Sequence, residues 1–202
     1  MRSREVAKEH VTTKQDISST PAPATLPVMD GEAINRALRR IAHEIIERNR
    51  DLAPVILAGI PSRGVEIARR IAGIIESLGK TSVQTGVIDV SMHRDDVGTR
   101  ADLPRVQASR LPLPLENKTV IIVDDVFFTG RTARAAMDAI SSFGRPARIQ
   151  LAALIDRGHR ELPIRVDYVG KNLPTAAGER VRLRFGVNGE PDAVWLVKEE
   201  KP

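Results

Sequence analysis

The sequence predicts an α/β fold, a mainly parallel sheet covered by helices on both faces. Three observations carry this expectation. Apolar segments of strand length alternate with segments of helical periodicity. The strand-like segments are almost continuously apolar, as in strands buried on both faces, and Gly, Pro and Asp punctuate the joins. The 202 residues, 42% of them hydrophobic, are enough for one sizeable core and marginal for two. One main domain over residues 29–202 is therefore expected behind an amino-terminal extension.

Residues 1–28 are polar or small, and Pro21, Pro23 and Pro27 interrupt them, which reads as a disordered tail. Asp30 or a neighbour can cap a helix whose Ile34, Leu38, Ile41, Ile45 and Ile46 share one face. PVILAGI (54–60) reads as a buried strand, and an amphipathic helix follows and ends at Gly79. A second strand is expected over 82–90. Residues 91–114 form a long, charged, Pro-interrupted loop, and a loop of that length in a compact domain is usually functional or disordered. A third strand over 119–124 leads into a helix from about 130 to 143, and a fourth strand covers 147–156. Shorter β-like pieces fall near 166–170, 181–185 and 193–198.

Composition removes several classes. Without cysteine, neither a disulfide framework nor a thiolate metal site can form, which suits a reducing compartment. No apolar run approaches the length of a membrane span, and residues 1–10 are charged with no apolar segment behind them. No membrane association is expected, and the expected location is cytoplasmic. A net charge of +5 hints at phosphate or nucleic-acid ligands, while an aromatic content of 3% argues against a base-stacking RNA module. His10, His43, His93 and His159 show no metal-ligand spacing, so no metal site made of side chains is expected.

The chemistry concentrates in VIIVDDVFFTGRT (120–132). Asp124 and Asp125 fall at the carboxyl end of the expected third strand, where open α/β sheets bind their ligands. The peptide N–H groups of residues 128–132 then open a helix and, with the hydroxyls of Thr129 and Thr132, offer a cradle for an anion. Two carboxylates beside such a cup repel a phosphate. They make sense for a ligand that also carries hydroxyl donors or a cation, and a ribose 5-phosphate has that combination. A Walker-type hydrolase would need a G-x-x-x-x-G-K-[ST] loop, which the chain lacks.

This stretch resembles the phosphoribosyl-pyrophosphate signature of type I phosphoribosyltransferases, an apolar strand followed by Asp-Asp and a Thr-Gly-x-Thr loop. The resemblance implies that family's fold, with a small β-rich hood beside the sheet. It implies that Asp124 and Asp125 hold ribose hydroxyls, that Asp125 assists proton transfer, and that Val126, Phe127, Phe128, Thr129, Gly130, Arg131 and Thr132 form the 5-phosphate site. It identifies AGIPSRGVEIA (58–68), with Ser62 and Arg63, as the pyrophosphate loop, although the residues alone read equally as a plain βα turn. The segment around HRDD resembles the loop that closes over the site, and Arg94 would then neutralise the departing pyrophosphate. Asp95 and Asp96 would either pair with basic residues or assist magnesium. Mg2+ is expected to arrive with phosphoribosyl pyrophosphate.

IDRGHRELPIRVDYVGKNLP (155–174), RRIAHEIIERN (39–49) and VDDVFFTGRTARAAMDAI (123–140) narrow the resemblance to the bifunctional pyrimidine operon regulators that are also uracil phosphoribosyltransferases, over about 29–199. That resemblance implies conversion of uracil and phosphoribosyl pyrophosphate to UMP and pyrophosphate. Uracil would lie near Arg157 and Val169, with main-chain donors and acceptors reading its imide edge. The resemblance also implies a dimer whose basic surface binds a messenger-leader RNA hairpin when UMP is present, through Arg40, His43, Arg48, His159, Arg160, Arg165 and Lys171. Arg40 and His43 share a helix face. On charge alone, with Glu44, Glu47 and Glu161 close by, the same residues read as a solvated surface. A homodimer is expected, with tetramers left open. Three rivals stay open as well: a nucleotide sensor with little catalysis, a phosphoribosyltransferase without an RNA role, and a purine-specific enzyme. Phe128 and His93 stand where the family pattern commonly has Tyr, and the Pro-rich tail is atypical.

Overall fold

The computed structural model describes residues 27–79, 81–91, 93, 108–176, 178–187 and 189–198. Residues 1–26 of the expected tail, and Arg94, Asp95 and Asp96 of the expected closing loop, lie outside the described residues. The elements run β1 (Met29–Asp30), α1 (Gly31–Arg48), β2 (Val55–Gly59), α2 (Arg63–Ser77), β3 (Gln84–Val87), β4 (Thr119–Phe127), α3 (Arg131–Ser141), β5 (Arg148–Asp156), β6 (Tyr168–Asn172), β7 (Glu179–Arg184) and β8 (Ala193–Lys198). A five-stranded parallel sheet has the order β3-β2-β4-β5-β6, and a three-stranded antiparallel hood has the order β1-β8-β7. The expected class is the observed one.

Two apolar layers explain why the central strands read as unbroken hydrophobic runs. Ile121 and Val123 of β4 turn toward Leu38, Ile41 and Ile45 of α1 and Ile67, Ile71 and Ile75 of α2. Val120 and Ile122 turn the other way, toward Ala136, Ala139 and Ile140 of α3. A strand sends successive side chains to opposite faces, so a strand covered twice must be apolar at every position. Each fully buried Ile or Leu contributes roughly 1.5–3 kcal/mol relative to exposure.

Local chemistry sets the ends of α1. Asp30 Oδ1 accepts the Ala33 N–H at 2.7 Å, satisfying a helix amide that has no intrahelical partner. At the other end, Asn49 Nδ2 donates to the Ile45 carbonyl (3.0 Å), Gln150 Oε1 (3.2 Å) and the Tyr168 hydroxyl (3.0 Å). This buried network ties α1 to β5 and β6, and burial pushes the Tyr168 hydroxyl above its ordinary range.

The third strand of the sequence reading ends later than expected. Pairing with β5 continues through Val126 opposite Ile155 and Phe127 opposite Asp156, so Val126 and Phe127 are strand, and the acidic pair lies within the last turns of the ladder. The helix behind it begins at Arg131, which leaves residues 128–130 as the turn. Among the described residues, no helix is long and apolar enough to cross a membrane.

Arg70 docks the hood on α2. Its guanidinium pairs with Asp192 and with Glu66 (2.9 Å), and it covers the Phe185 ring at 4.3 Å. Burial works to raise the Asp192 carboxyl pKa, but the Arg70 hydrogen bond, the Gly186 N–H at 2.9 Å and the guanidinium charge outweigh it and hold the carboxyl below its usual range. A carboxyl with a depressed folded-state pKa contributes stability above its unfolded pKa, and that contribution is lost as pH falls through the folded value. Asp192→Asn is expected to lower unfolding free energy by about 1–2 kcal/mol at neutral pH. In urea titrations the difference from wild type should shrink as pH drops below about 4.

Candidate active site

Two strand-to-helix turns meet at the carboxyl end of the sheet because glycine lets them. A Cβ on Gly59 would stand 2.4 Å from Val65 Cα, and one on Gly64 would stand 2.3 Å from the Val123 carbonyl oxygen. The first turn of α2 is thus pressed onto β4 immediately before Asp124. The Pro61–Ser62 peptide is cis, which places unusual backbone geometry at the expected pyrophosphate loop. Ser62 occupies the N-cap position of α2 without a side-chain capping hydrogen bond and is exposed, and Arg63 Nη1 reaches to 3.5 Å from Asp125 Oδ2.

The two acids are held apart by their own backbone. Asp124 Oδ1 accepts the Asp125 N–H at 2.8 Å, and Asp125 Oδ1 accepts the Val126 N–H at 3.0 Å. Both side chains are half-buried; Asp124 lines a cavity of about 370 Å3, while Asp125, the next residue along the strand, faces Arg63 instead. Asp124, Val126, residues 127–133 and Glu161 line that cavity. Gly130 caps α3 with φ of 96°, a left-handed conformation in which a side chain would be strained, and a Cβ there would also crowd Leu162 Cβ at 3.3 Å. The amino-terminal end of α3, with its partial positive charge, therefore borders the cavity, and Thr129 and Thr132 add hydroxyls.

A second segment fixes the shape of this cup. The Phe127 carbonyl accepts the Arg157 N–H (2.9 Å), and the Thr129 carbonyl accepts the N–H groups of Glu161 (3.0 Å) and Leu162 (3.1 Å). Arg160 Nη1 donates to the Phe128 carbonyl at 2.8 Å. The C=O and N–H of a trans peptide point in opposite directions. Binding these carbonyls to residues 157–162 therefore directs the N–H groups of Phe128, Thr129 and Gly130 away from that segment. Asp124, Asp125 and the phosphate cup can together hold a sugar phosphate: acceptors for hydroxyls on one side, donors for an anion on the other. Among the described residues no cluster of three or more His, Cys, Asp or Glu could hold a metal.

The remaining expected residues separate into groups. Arg157 is buried: Nε donates to Thr175 Oγ1 at 3.1 Å, Nη2 donates to the Glu179 carbonyl, and the guanidinium covers the Phe128 ring at 4.2 Å. Arg157 and Val169 do not line the cavity, and the Val169 carbonyl accepts from Arg40 Nη2 at 2.9 Å. Of the basic residues, His159 and Arg160 belong to the rim. His159 Nε2 lies 2.6 Å from the Thr175 carbonyl and its ring meets Phe128 edge-on at 5.6 Å. Arg160 pairs with Asp156 and covers the Phe127 ring at 4.2 Å. Arg40, His43, Arg48 and Lys171 lie instead along α1 and β6. Arg40 sits 3.5 Å from Glu44, Arg48 sits 2.7 Å from Asp167, and Lys171 donates to the Val28 carbonyl at 3.3 Å. His43 and Arg165 are exposed. Glu161 and Ala133 are the cavity residues that the sequence alone did not place at the site; of Glu161 only the charge beside the basic run was visible there, and of Ala133 only its place in the following helix.

Residues 28–183 match the phosphoribosyl transferase domain family. A relative from Roseiflexus sp. (strain RS-1), called Bifunctional protein PyrR, is 52% identical over 172 residues, covering 85% of this chain and 94% of the relative. Proteins of the same name from Chloroflexus aurantiacus (53% over 171 residues, 85% and 94% covered) and Bacillus pumilus (50% over 174 residues, 85% and 97% covered) are equally similar. Among solved structures, the hypoxanthine phosphoribosyltransferase of Trypanosoma cruzi shares the fold with a TM-score of 0.63 at 17% identity, over 86% of this chain and 97% of that one. That of Staphylococcus aureus does so with a TM-score of 0.59 at 19% identity, over 77% and 80%. The chain therefore belongs to the phosphoribosyl transferase family, in the group of its members named Bifunctional protein PyrR.

Proposed function

We propose that the protein transfers the phosphoribosyl group of phosphoribosyl pyrophosphate to uracil, forming UMP and pyrophosphate, and that it binds a messenger-leader RNA hairpin in response to UMP. The observation that carries the first part is the half-buried Asp124 carboxylate lining a helix-terminal phosphate cup, with the half-buried Asp125 next to it in the strand and facing Arg63. The bond from the ribose anomeric carbon to pyrophosphate breaks with its electron pair leaving on pyrophosphate, and the uracil nitrogen forms the new bond and loses its proton. Positive charge gathers on the ribose in between. Asp124 and Asp125 hold the sugar and face that charge, the 128–132 loop anchors the 5-phosphate, and the turn at Ser62 and Arg63 receives the pyrophosphate. In this reading Asp125 assists the proton transfer, the role the family resemblance gives it. Magnesium belongs to this reading as part of the substrate, carried on the pyrophosphate with much of its water.

The uracil assignment rests on the resemblance of residues 155–174 and on relatives that share about half their residues with this chain and the name Bifunctional protein PyrR. Arg157 supports the base end by holding Phe128 in place. The RNA reading rests on the same relatives and on a basic strip along α1 and β6, with Arg40, His43, Arg48 and Lys171, continued by Arg165. A homodimer in the cytoplasm completes the reading. Contacts to phosphate and 2′-hydroxyl groups would dominate such an interface, so affinity should fall steeply with salt.

Asp125→Asn is expected to lower kcat for pyrophosphate release from uracil and phosphoribosyl pyrophosphate by about 10²–10³-fold, with hairpin affinity measured without UMP left as in wild type. Consumption of hypoxanthine or guanine in preference to uracil by the wild-type protein would show the base assignment to be wrong. In a separate experiment, His43→Ala combined with Arg165→Ala is expected to weaken hairpin binding and reduce the slope of log affinity against log salt by about 1–2. Gel shifts at several salt concentrations measure both. An unchanged shift by a protein that still releases pyrophosphate would remove the RNA assignment.

A further inference from the structure

Glu161 places a negative charge where a phosphate cup has no direct use for one. It lines the cavity together with Asp124 and the 128–132 loop, and its Oε2 lies 2.7 Å from Arg131 Nε. Arg131 is the first residue of α3 and lines the same cavity. A guanidinium is the strongest side-chain donor such a cup can offer to a phosphate, and here it is engaged by a carboxylate of the protein itself. The side chains are 44% and 51% exposed, so the pair belongs to the weak, solvent-screened class that a phosphate dianion can displace.

The backbone keeps the carboxylate there. The N–H groups of Glu161 and Leu162 both donate to the Thr129 carbonyl, and Leu162 Cβ lies against Gly130 at the start of α3. Arg160 adds its bond to the Phe128 carbonyl. Movement of the Glu161 main chain away from the cup would break contacts that shape the cup itself. When a ligand arrives, the side chain must yield, not the backbone.

We infer that Glu161 is a positioning residue of the 5-phosphate cup, holding Arg131 in an ion pair that the sugar phosphate displaces and so setting how tightly phosphate binds. The inference rests on the phosphoribosyl reading above. A phosphate in the cup gains Arg131 as a donor and meets Glu161 as a like charge, so wild-type affinity is lower than the remaining donors would allow. The effect concerns phosphate alone and should leave the base and sugar contacts untouched.

Glu161→Gln keeps an oxygen that accepts from Arg131 and removes the charge, and Glu161→Asp keeps the charge. Calorimetric titration is expected to show UMP binding to Glu161→Gln about two- to fivefold more tightly than to wild type. Glu161→Asp should stay close to wild type, and uridine, which has no phosphate, should bind all three proteins alike. In steady-state assays the KM for phosphoribosyl pyrophosphate should fall with little change in kcat in the Gln protein. Equal or weaker UMP binding by Glu161→Gln would overturn the inference, as would the same change for uridine as for UMP. If wild type and variants all fail to bind UMP, the phosphoribosyl reading falls and this inference falls with it. If wild type binds UMP and the Gln protein shows no difference, Glu161 alone has been misread.

Discussion

The carbonyl oxygen of Val123 occupies the place where a Cβ on Gly64 would stand, 2.3 Å away. Because that atom is missing, the first turn of α2 rests directly on β4, just below the acidic pair. The turn after β2 and the turn after β4 thereby open at the same end of the sheet, with Arg63 reaching toward Asp125. Two helix amino-termini then face the same end of the sheet, and their partial positive charges, with Arg63, offset the repulsion of two adjacent carboxylates. Each carboxylate also takes an amide from the next residue along the strand. Placing like charges side by side is tolerable on these terms, and it leaves a surface suited to hydroxyls next to one suited to phosphate.

A second layer of structure holds that surface in shape. Residues 157–162 lie along the phosphate turn and take up the carbonyls of Phe127, Phe128 and Thr129. Arg157 and Arg160 also cover the rings of Phe128 and Phe127, so two cations and two aromatic rings form the outer wall of the cup. Arg157 continues from there to Thr175 and Glu179 at the base of the hood, which Arg70 anchors to α2. His159 and Arg160, expected at an RNA surface, thereby pack against the turn that shapes the cup. In this fold a phosphate ligand and a nucleic-acid ligand would press on the same short segment.

Much of this was legible in the sequence because it depends on local patterns. The capping role of Asp30, the buried faces of α1 and α2, the unbroken apolar run of β4 and the Asp-Asp pair followed by Thr129, Gly130 and Thr132 all follow from spacing and residue type. What was not legible depends on distant partners. The end of β4 is set by its pairing with β5, so the ladder runs to Phe127 although the apolar pattern stops at Asp124. Arg160 meets the Phe128 carbonyl across 32 positions of chain, and Glu161 meets Arg131 across 30, contacts that no charge count reveals. The basic residues looked like one set by charge. The fold divides them between the rim of the cup and the α1–β6 edge, because His159 and Arg160 follow β5 directly while Lys171 lies within the next strand.

The most direct measurement is a crystal structure with UMP bound. The phosphate is expected within hydrogen-bonding distance of main-chain N–H groups in the 128–132 loop, with the ribose hydroxyls on Asp124 and Asp125. A nucleotide whose sugar touches neither carboxylate, or whose phosphate lies outside that loop, would contradict the central claim that paired acids and a helix-terminal cup form one sugar-phosphate site.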